Sequence, residues 1–282
     1  MTSLRRRLRF ARSATGAVGL LLVVVVVAIA LAGPYLAPHA PDAPVGVPLQ
    51  KPSSDALLGT DFLGRDVESR VLWGGRSVLS LAGLATLMAY AGGLVIGLLA
   101  GYSRTWLDGV LMRLSDVMLS FPALLFLLVL VTGAGTSTTV LVIGVALVQM
   151  PLVARIVRAA TLEQSVRGFV EAAVARGERT AAILGHEILP NVAPAIAADA
   201  GLRFTYSIIL VASVNFLGLG LAPPAADWAL IISENRSGLT LNPWVILAPA
   251  TLIALLTIGV NLVGDAVART LGISLARRRV VR

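Results

Sequence analysis

Five stretches of this chain carry little or no charge over roughly the 20 residues that a helix needs to cross a bilayer. They are Gly16–Leu36, Ser77–Tyr102, Leu119–Val153, Phe204–Leu221 and Trp244–Val263. The remainder cannot cover so much apolar surface. Of the 282 residues, 57% are hydrophobic and only 13% charged, where a soluble domain carries about 25% charged residues. Lipid must therefore serve as solvent. The third run is too long for one crossing, and Gly133-Ala-Gly-Thr-Ser-Thr138 divides it into helices over Thr105–Thr132 and Thr139–Arg158. Six crossings result. The fifth helix is expected to begin near Pro190, because proline is tolerated in a first turn, with Asp199 and Arg203 in its first two turns. There is no cysteine, which removes disulfides, thiolate metal sites and cysteine nucleophiles together.

The first run follows a basic head of Arg5, Arg6, Arg7, Arg9 and Arg12. Its apolar core exceeds the ~7–15 residues of a cleaved signal, so an uncleaved signal-anchor is expected. With the N-terminus in the cytoplasm, six crossings return the C-terminus there. Cytoplasmic segments then hold that head with Arg104, Arg113, Arg155, Arg158, Arg167, Arg176, Arg179, Arg269, Arg277, Arg278, Arg279 and Arg282. External segments hold Lys51, Arg65, Arg70, Arg76 and Arg236, and Arg203 lies within a span. The asymmetry follows the positive-inside rule. It accounts for the net charge of +8 without a nucleic-acid partner.

The domain plan is a basic N-terminus (1–15), a first span (16–36), an external segment (37–76), a five-helix core (77–270) and a basic tail (271–282). Within the core lie a cytoplasmic loop at 159–190 and a second external segment at 221–243. The loop is polar and helix-forming. Thr161–Arg176 reads as a helix through Glu171, Ala172, Ala173 and Ala175, with Gly177 as its left-handed C′ residue. Glu178–Gly185 reads as a second short helix, and Ile188-Leu-Pro190 turns the chain back into the membrane. Such a knob either presents a surface to a soluble partner or is a plain interfacial connector.

Glu171-Ala-Ala173, Gly177 and the Ile188-Leu-Pro190 ending resemble the EAA loop of ABC importer permeases. Leu58-Gly-Thr-Asp-Phe-Leu-Gly-Arg-Asp66 with Ser69-Arg70, and Asn215-Phe-Leu-Gly-Leu-Gly220 with Pro223, Pro224 and Trp228, are similar to the external segments of the C-type subunit in dipeptide, oligopeptide and nickel permeases. Asn261-Leu-Val-Gly-Asp265 also matches, although Gly272–Arg277 replaces the usual Asp-Pro-Arg close. Glu187 departs from the pattern, standing between a His and an Ile that are adjacent in that branch.

The resemblance implies an all-α polytopic membrane protein with six transmembrane helices, the type I ABC importer permease fold and a cytoplasmic EAA coupling helix. It implies coupling to an ATPase through Glu171, Ala172, Ala173, Arg176, Gly177 and Pro190. It further implies a homologous permease as heterodimer partner, two cytoplasmic ATPase subunits that bind ATP and Mg, an extracytoplasmic substrate-binding protein, and a multi-pass place in the bacterial inner membrane. The substrate it implies is a di- or oligopeptide, with nickel, haem and glutathione-like compounds as alternatives. No cofactor is expected on this chain.

The chain has no Gly-x-x-x-x-Gly-Lys-[Ser/Thr] phosphate loop, and its one lysine, Lys51, precedes Pro52 in an external segment. Its histidines, His39 and His186, lie outside the spans, so no Ser–His pair can form at membrane depth. Ion-coupled secondary transport would need ionisable groups near the midplane. The candidates Asp116, Asp199, Arg203 and Asp265 lie within a few turns of the cytoplasmic helix ends. Asp199–Arg203 and Asp265–Arg269 have the i,i+4 spacing of intrahelical ion pairs. The path is then expected to be neutral. Gly92, Gly93, Gly97 and Gly101 form a small-residue stripe suited to close helix packing or to pore lining. Asp61, Arg65, Asp66, Asp227 and Trp228 are candidate docking residues for the binding protein, or parts of a cap over the helix ends.

Overall fold

The computed structural model describes residues 13–103, 105–221 and 224–280, with side chains through Val267 and that of Arg269. The basic head from Arg5 to Arg12, Arg104, Pro223, Arg282 and the side chains of Arg277, Arg278 and Arg279 lie outside the described residues. The described chain is helical, and its only β features among the described residues are two isolated bridges in the first external segment. The helices are α1 (Ala14–Leu36), α2 (Val67–Ser103), α3 (Trp106–Ser120), α4 (Ala123–Ala134), α5 (Thr138–Ser165), α6 (Gly168–Ala175), α7 (Thr180–Phe216), α8 (Trp228–Glu234) and α9 (Trp244–Val280).

The glycine stripe fixes the topology. A Cβ on Gly93, Gly97 or Gly101 would lie 2.6–2.7 Å from the Cβ atoms of Val153, Val157 and Thr161 in turn. Both residue numbers rise together, so α2 and α5 run parallel with their backbones in close approach. The stripe is helix packing. Two parallel spans cannot be consecutive, and α3 with α4 must carry the chain back between them. Six crossings follow, with α3 and α4 sharing one. Gly135 takes φ +98° where α4 turns into α5, the break expected at Gly133–Thr138.

α1 lies against α2 and α9. Gly33 meets the Leu72 backbone, and Gly19 meets Gly259 and Leu262. α7 sits among α2, α5 and α9. One apolar core joins Leu81 and Ala85 to Leu127, Leu141, Val145 and Val211. A second joins Val26, Val71 and Val78 to Ile208, Trp228 and Leu256.

Three boundaries differ from expectation. α2 begins ten residues before Ser77, at Val67, because its first turns carry Arg70 into the external cap. The helix expected over Thr161–Arg176 is interrupted at Val166-Arg167, which separates α5 from α6. The expected turn at Ile188-Leu-Pro190 is absent. α7 runs on from Thr180 through a π-helical turn at Ile183–Ile188.

Candidate functional site

The knob is α6, the turn at Gly177 and the first part of α7. Gly177 has φ +75° and closes α6 in a Schellman arrangement. Its N–H donates to the Val174 carbonyl at 2.9 Å, and the Glu178 N–H donates to the Ala173 carbonyl at 3.2 Å. Only glycine enters that region without Cβ strain. Val170, Ala173, Ile183, Leu184, Ile188 and Val192 form the knob's own buried core, packed on Leu98 and Tyr102 of α2 and Ala160 of α5. A close-packed core passes on displacement rather than absorbing it, so the knob is bound to three spans.

The coupling residues divide by exposure. Glu171, Ala172, Arg176, Gly177 and Pro190 are exposed, while Ala173 is buried and packs the knob from within. Arg176 donates to Glu178 Oε1 at 2.6 Å and lies 3.5 Å from Glu187 Oε1, tying α6 to the π turn. A π turn closes its hydrogen bond one residue later than an α turn, and here the Leu189 N–H reaches the Leu184 carbonyl. Glu187, the residue that departs from the family pattern, lies within this π turn.

The opposite end of the bundle is a cap built from the two external segments. Arg65 Nε and Arg70 Nη1 each donate to Asp61 Oδ2 at 2.7 Å. The same arginines reach Glu234 Oε2 at 3.0 and 2.7 Å. Asp66 accepts from Ser69 Oγ at 2.6 Å. Asp227 caps α8 by accepting from the Ala229 and Leu230 N–H groups, and Trp228 Nε1 donates to the Val71 carbonyl at 2.7 Å. Asp61, Arg65, Asp66, Asp227 and Trp228 are all 3% exposed or less. Of the two readings open for them, docking residues for a binding protein or parts of a cap over the helix ends, their burial and mutual bonds fit the cap. Removing one member of such a buried ionic cluster typically costs about 3–5 kcal/mol, because it strands the others. Glu234 is the member that sequence reading missed, since nothing local links it to positions some 170 residues earlier.

Ionisable side chains gather in a belt toward the knob end. Arg203 Nε lies 3.2 Å from Asp199, as its spacing predicted, and Tyr90 Oη donates to Asp199 Oδ2 at 2.7 Å. The expected Asp265–Arg269 pair does not form. Arg269 Nη2 instead donates to Thr15 Oγ1 at 2.8 Å, tying α9 to α1. Arg158 grips Asp108 with two bonds of 2.5 and 2.6 Å, and Arg155 reaches Asp116 Oδ1 at 2.5 Å. These cross-helix pairs follow from the α3–α5 contact and have no signature in sequence spacing.

Between cap and belt the polar groups are neutral. Thr86 Oγ1 is 2.7 Å from the Ala82 carbonyl and 2.7 Å from Ser207 Oγ, and Gln149 Nε2 is 2.5 Å from Ser207 Oγ. A carbonyl can only accept, so the proton directions are fixed. Gln149 donates to Ser207, Ser207 to Thr86 and Thr86 to Ala82. One directional chain thus joins α5, α7 and α2.

The crossing shared by α3 and α4 is bent by 86° at Phe121-Pro122. Pro122 provides no side-chain cap, and the first helical bond of α4 runs from the Phe126 N–H to the Pro122 carbonyl. The N–H groups of Ala123, Leu124 and Leu125 are thereby left without helical partners. In hydrocarbon each would cost several kcal/mol. Ser120, Phe121 and Pro122 are exposed. Beside the break is a cavity of about 260 Å³ lined by Met118, Phe121, Phe126, Val148, Leu152 and Tyr206, among others.

A profile of the family described as "Binding-protein-dependent transport system inner membrane component" matches residues 93–275, well over half of the chain. The chain belongs to this family. A second profile, the N-terminal TM domain of oligopeptide transport permease C, matches residues 4–58 of the permease. The permease is 34% identical over 250 residues to the dipeptide transport system permease protein DppC of Alkalihalophilus pseudofirmus, covering 88% of this chain and 82% of that one. It is 36% identical over 261 residues to the glutathione transport system permease protein GsiD of Pectobacterium atrosepticum, covering 91% and 86%. Among solved structures it is similar to the MetNI methionine ABC transporter in an inward-facing conformation, with a TM-score of 0.59 and 18% identity over 72% of this chain and 96% of that one. The fold is that of type I importers, and the permease belongs to the dipeptide/oligopeptide branch of ABC importers.

Proposed function

We propose that this permease carries small peptides inward as one half of a heterodimer with a homologous permease, driven by ATP that two cytoplasmic ATPase subunits hydrolyse with Mg. An extracytoplasmic binding protein delivers the substrate to the cap end. The knob, the start of α1 and the inner part of α9 share the other end of the bundle, as the Arg269–Thr15 bond supports. The arginine asymmetry supports a cytoplasmic place for that end, with both termini there.

The observation that carries this reading is the knob itself, which exposes Glu171 and Gly177 outward while its buried core grips α2, α5 and α7. Such a knob takes a push from a soluble partner and passes it to the spans. Relatives named for dipeptide and glutathione transport support a short peptide as substrate. Nickel or haem carriage by the same architecture is the alternative.

The test uses the assembled complex in proteoliposomes. Glu171→Lys and Gly177→Asp should insert and assemble normally yet lose peptide-stimulated ATPase activity at least tenfold, about 1.4 kcal/mol of coupling. Unchanged stimulation in both variants removes the knob from the mechanism. Uptake of nickel or haem in place of an alanine tripeptide overturns the substrate.

A further inference from the structure

Arg76 is a cation without a carboxylate at the cap-side rim of the spans. Its neighbours in sequence, Arg65 and Arg70, are bound up with Asp61 and Glu234 inside the cap. Arg236 folds back onto the Ser233 carbonyl and the Phe216 ring. Arg76 stands where the apolar part of α2 begins. Its Nη2 donates to the Leu31 carbonyl of α1 at 2.7 Å, and its guanidinium carbon lies 4.9 Å from the centre of the Tyr35 ring. A guanidinium has several further N–H donors, and among the described residues no carboxylate reaches them.

The level of Arg76 is that of the lipid headgroups. Tyr35, near the end of α1, is 83% exposed, and Trp244 opens α9 at 44% exposure. Aromatic residues at span ends mark the membrane interface, and Arg76 lies against one of them. Beside it a shallow groove of about 510 Å³ is lined by Leu31, Arg76, Ser77, Leu79 and Ser80. α1 runs toward the cap and α2 away from it. Leu31 therefore lies one turn deeper in the bilayer than Tyr35, and Leu79 one turn deeper than Arg76. The groove is cationic at its outer lip and apolar below. Its hydroxyls are already used: Ser77 Oγ donates to the Ala226 carbonyl at 2.9 Å, and Ser80 Oγ to the Ser77 carbonyl at 3.1 Å. The donors left over belong to Arg76.

We propose that this groove binds one anionic phospholipid of the cap-side leaflet, with its phosphate on Arg76 and an acyl chain laid over Leu31 and Leu79. Bulk lipid covers apolar span surface everywhere. What singles out this place is a cation set above an apolar groove, the complement of a headgroup and its chain. A guanidinium meets phosphate through paired N–H bonds. No carboxylate lines the groove to pair with the ammonium of a zwitterionic headgroup, so a lipid of net negative charge fits. Bound there, it fastens the outer end of α1 to α2. The site does not depend on the peptide reading, and only its leaflet rests on the arginine asymmetry.

Native mass spectrometry of the assembled complex tests this, with titration of palmitoyl-oleoyl phosphatidylglycerol or of phosphatidylcholine with the same chains. Wild type should hold one phosphatidylglycerol at least about tenfold more tightly than phosphatidylcholine, the scale of a hydrogen bond to a charged group. Arg76→Gln should lose that lipid, and Arg76→Lys should keep most of it, since lysine also binds phosphate. Leu31→Trp fills the groove from a position that is already exposed, and it should lose the lipid with the charge intact. Arg236→Gln should retain it. Headgroups held at the arginine-rich end are common to all variants, so the difference between variants is what counts. Equal retention by wild type and Arg76→Gln overturns the proposal, and so does phosphatidylcholine held as tightly as phosphatidylglycerol. Displacement by excess inorganic phosphate would make this a free-anion site and overturn the lipid. Poor assembly of Arg76→Gln, with no such lipid on wild type, would give Arg76 to the partner permease instead.

Discussion

Asp227 shows how one residue in the cap is controlled by its surroundings. Oδ1 accepts two backbone N–H groups at the start of α8, and the carboxyl is buried beside the Asn215 side chain. Burial pushes the carboxyl up to about 6, and hydrogen bonding from the Leu230 N–H, the Asn215 side chain and the Ala229 N–H opposes the shift without cancelling it. Its folded value thus stands above its unfolded one. The associated stability is fully present below the unfolded value and is lost as pH rises through about 6. Melting of the purified permease should therefore shift upward as pH falls from 7 to 5, and Asp227→Asn should flatten that slope. An identical slope in the variant would remove Asp227 as the titrating group. Asp227 was legible in sequence as a marked residue, but sequence left open whether it docks a partner or forms part of a cap. A polar residue in an external segment reads as surface until burial is known, and burial here arises from Trp228 packing against α2.

At the scale of elements, the junction between knob and α7 shows what a one-residue departure does. Glu187 departs from the sequence pattern, and it lies in the π turn, where Arg176 reaches its carboxylate. One further residue has nowhere to go, because an α-helix rotates about 100° per residue. Inserting one alanine after Glu187 should turn the face of α7 against α2 and α5, and peptide-stimulated ATPase activity should fall to the unstimulated level. Deleting Glu187 should restore an α turn and keep activity within about twofold. Activity that survives the insertion would show that the knob is not rigidly joined to α7. Of this element, Glu171, Ala172, Ala173 and Gly177 were readable, Gly177 through the backbone need of its turn. The inward aim of Ala173 was not, since it depends on which face of α6 meets Leu98 and Tyr102. The bend at Pro122 had a sequence signal, a proline following Phe121, which disfavours helix at that residue. The uninterrupted apolar run around it concealed the break.

Over the whole molecule, the parallel α2–α5 pair is the frame on which the rest is hung. Gly97 stands where an added Cβ would come within 2.6 Å of both the Ala154 carbonyl oxygen and Val157 Cβ. Gly97→Leu must push the helices apart along their full contact. Overpacking of this kind costs about 1–3 kcal/mol or more, and the variant should show a lower melting temperature and poor recovery of assembled complex. Gly83, with nothing within 4 Å, is the matched control, and Gly83→Leu should assemble normally. Equal behaviour of the two variants would mean that the stripe is not the frame.

The sequence by itself determined the solvent, the set of membrane-spanning runs, the separation of a helical knob from the two segments at the opposite end, and the family. Each is a one-dimensional property: span length, charge asymmetry and motif order survive without knowledge of contacts. The tertiary structure decided which of the marked residues face outward. It moved five candidate docking residues into a buried cap, and it exchanged the Asp265–Arg269 pair for a bond to Thr15. It also joined Arg155 and Arg158 to aspartates on α3 and opened a cavity at a bend. The physical reason is common to all of them. Burial, cross-helix pairing and a gap between helices are set by how spans distant in sequence come together, and no local spacing encodes that.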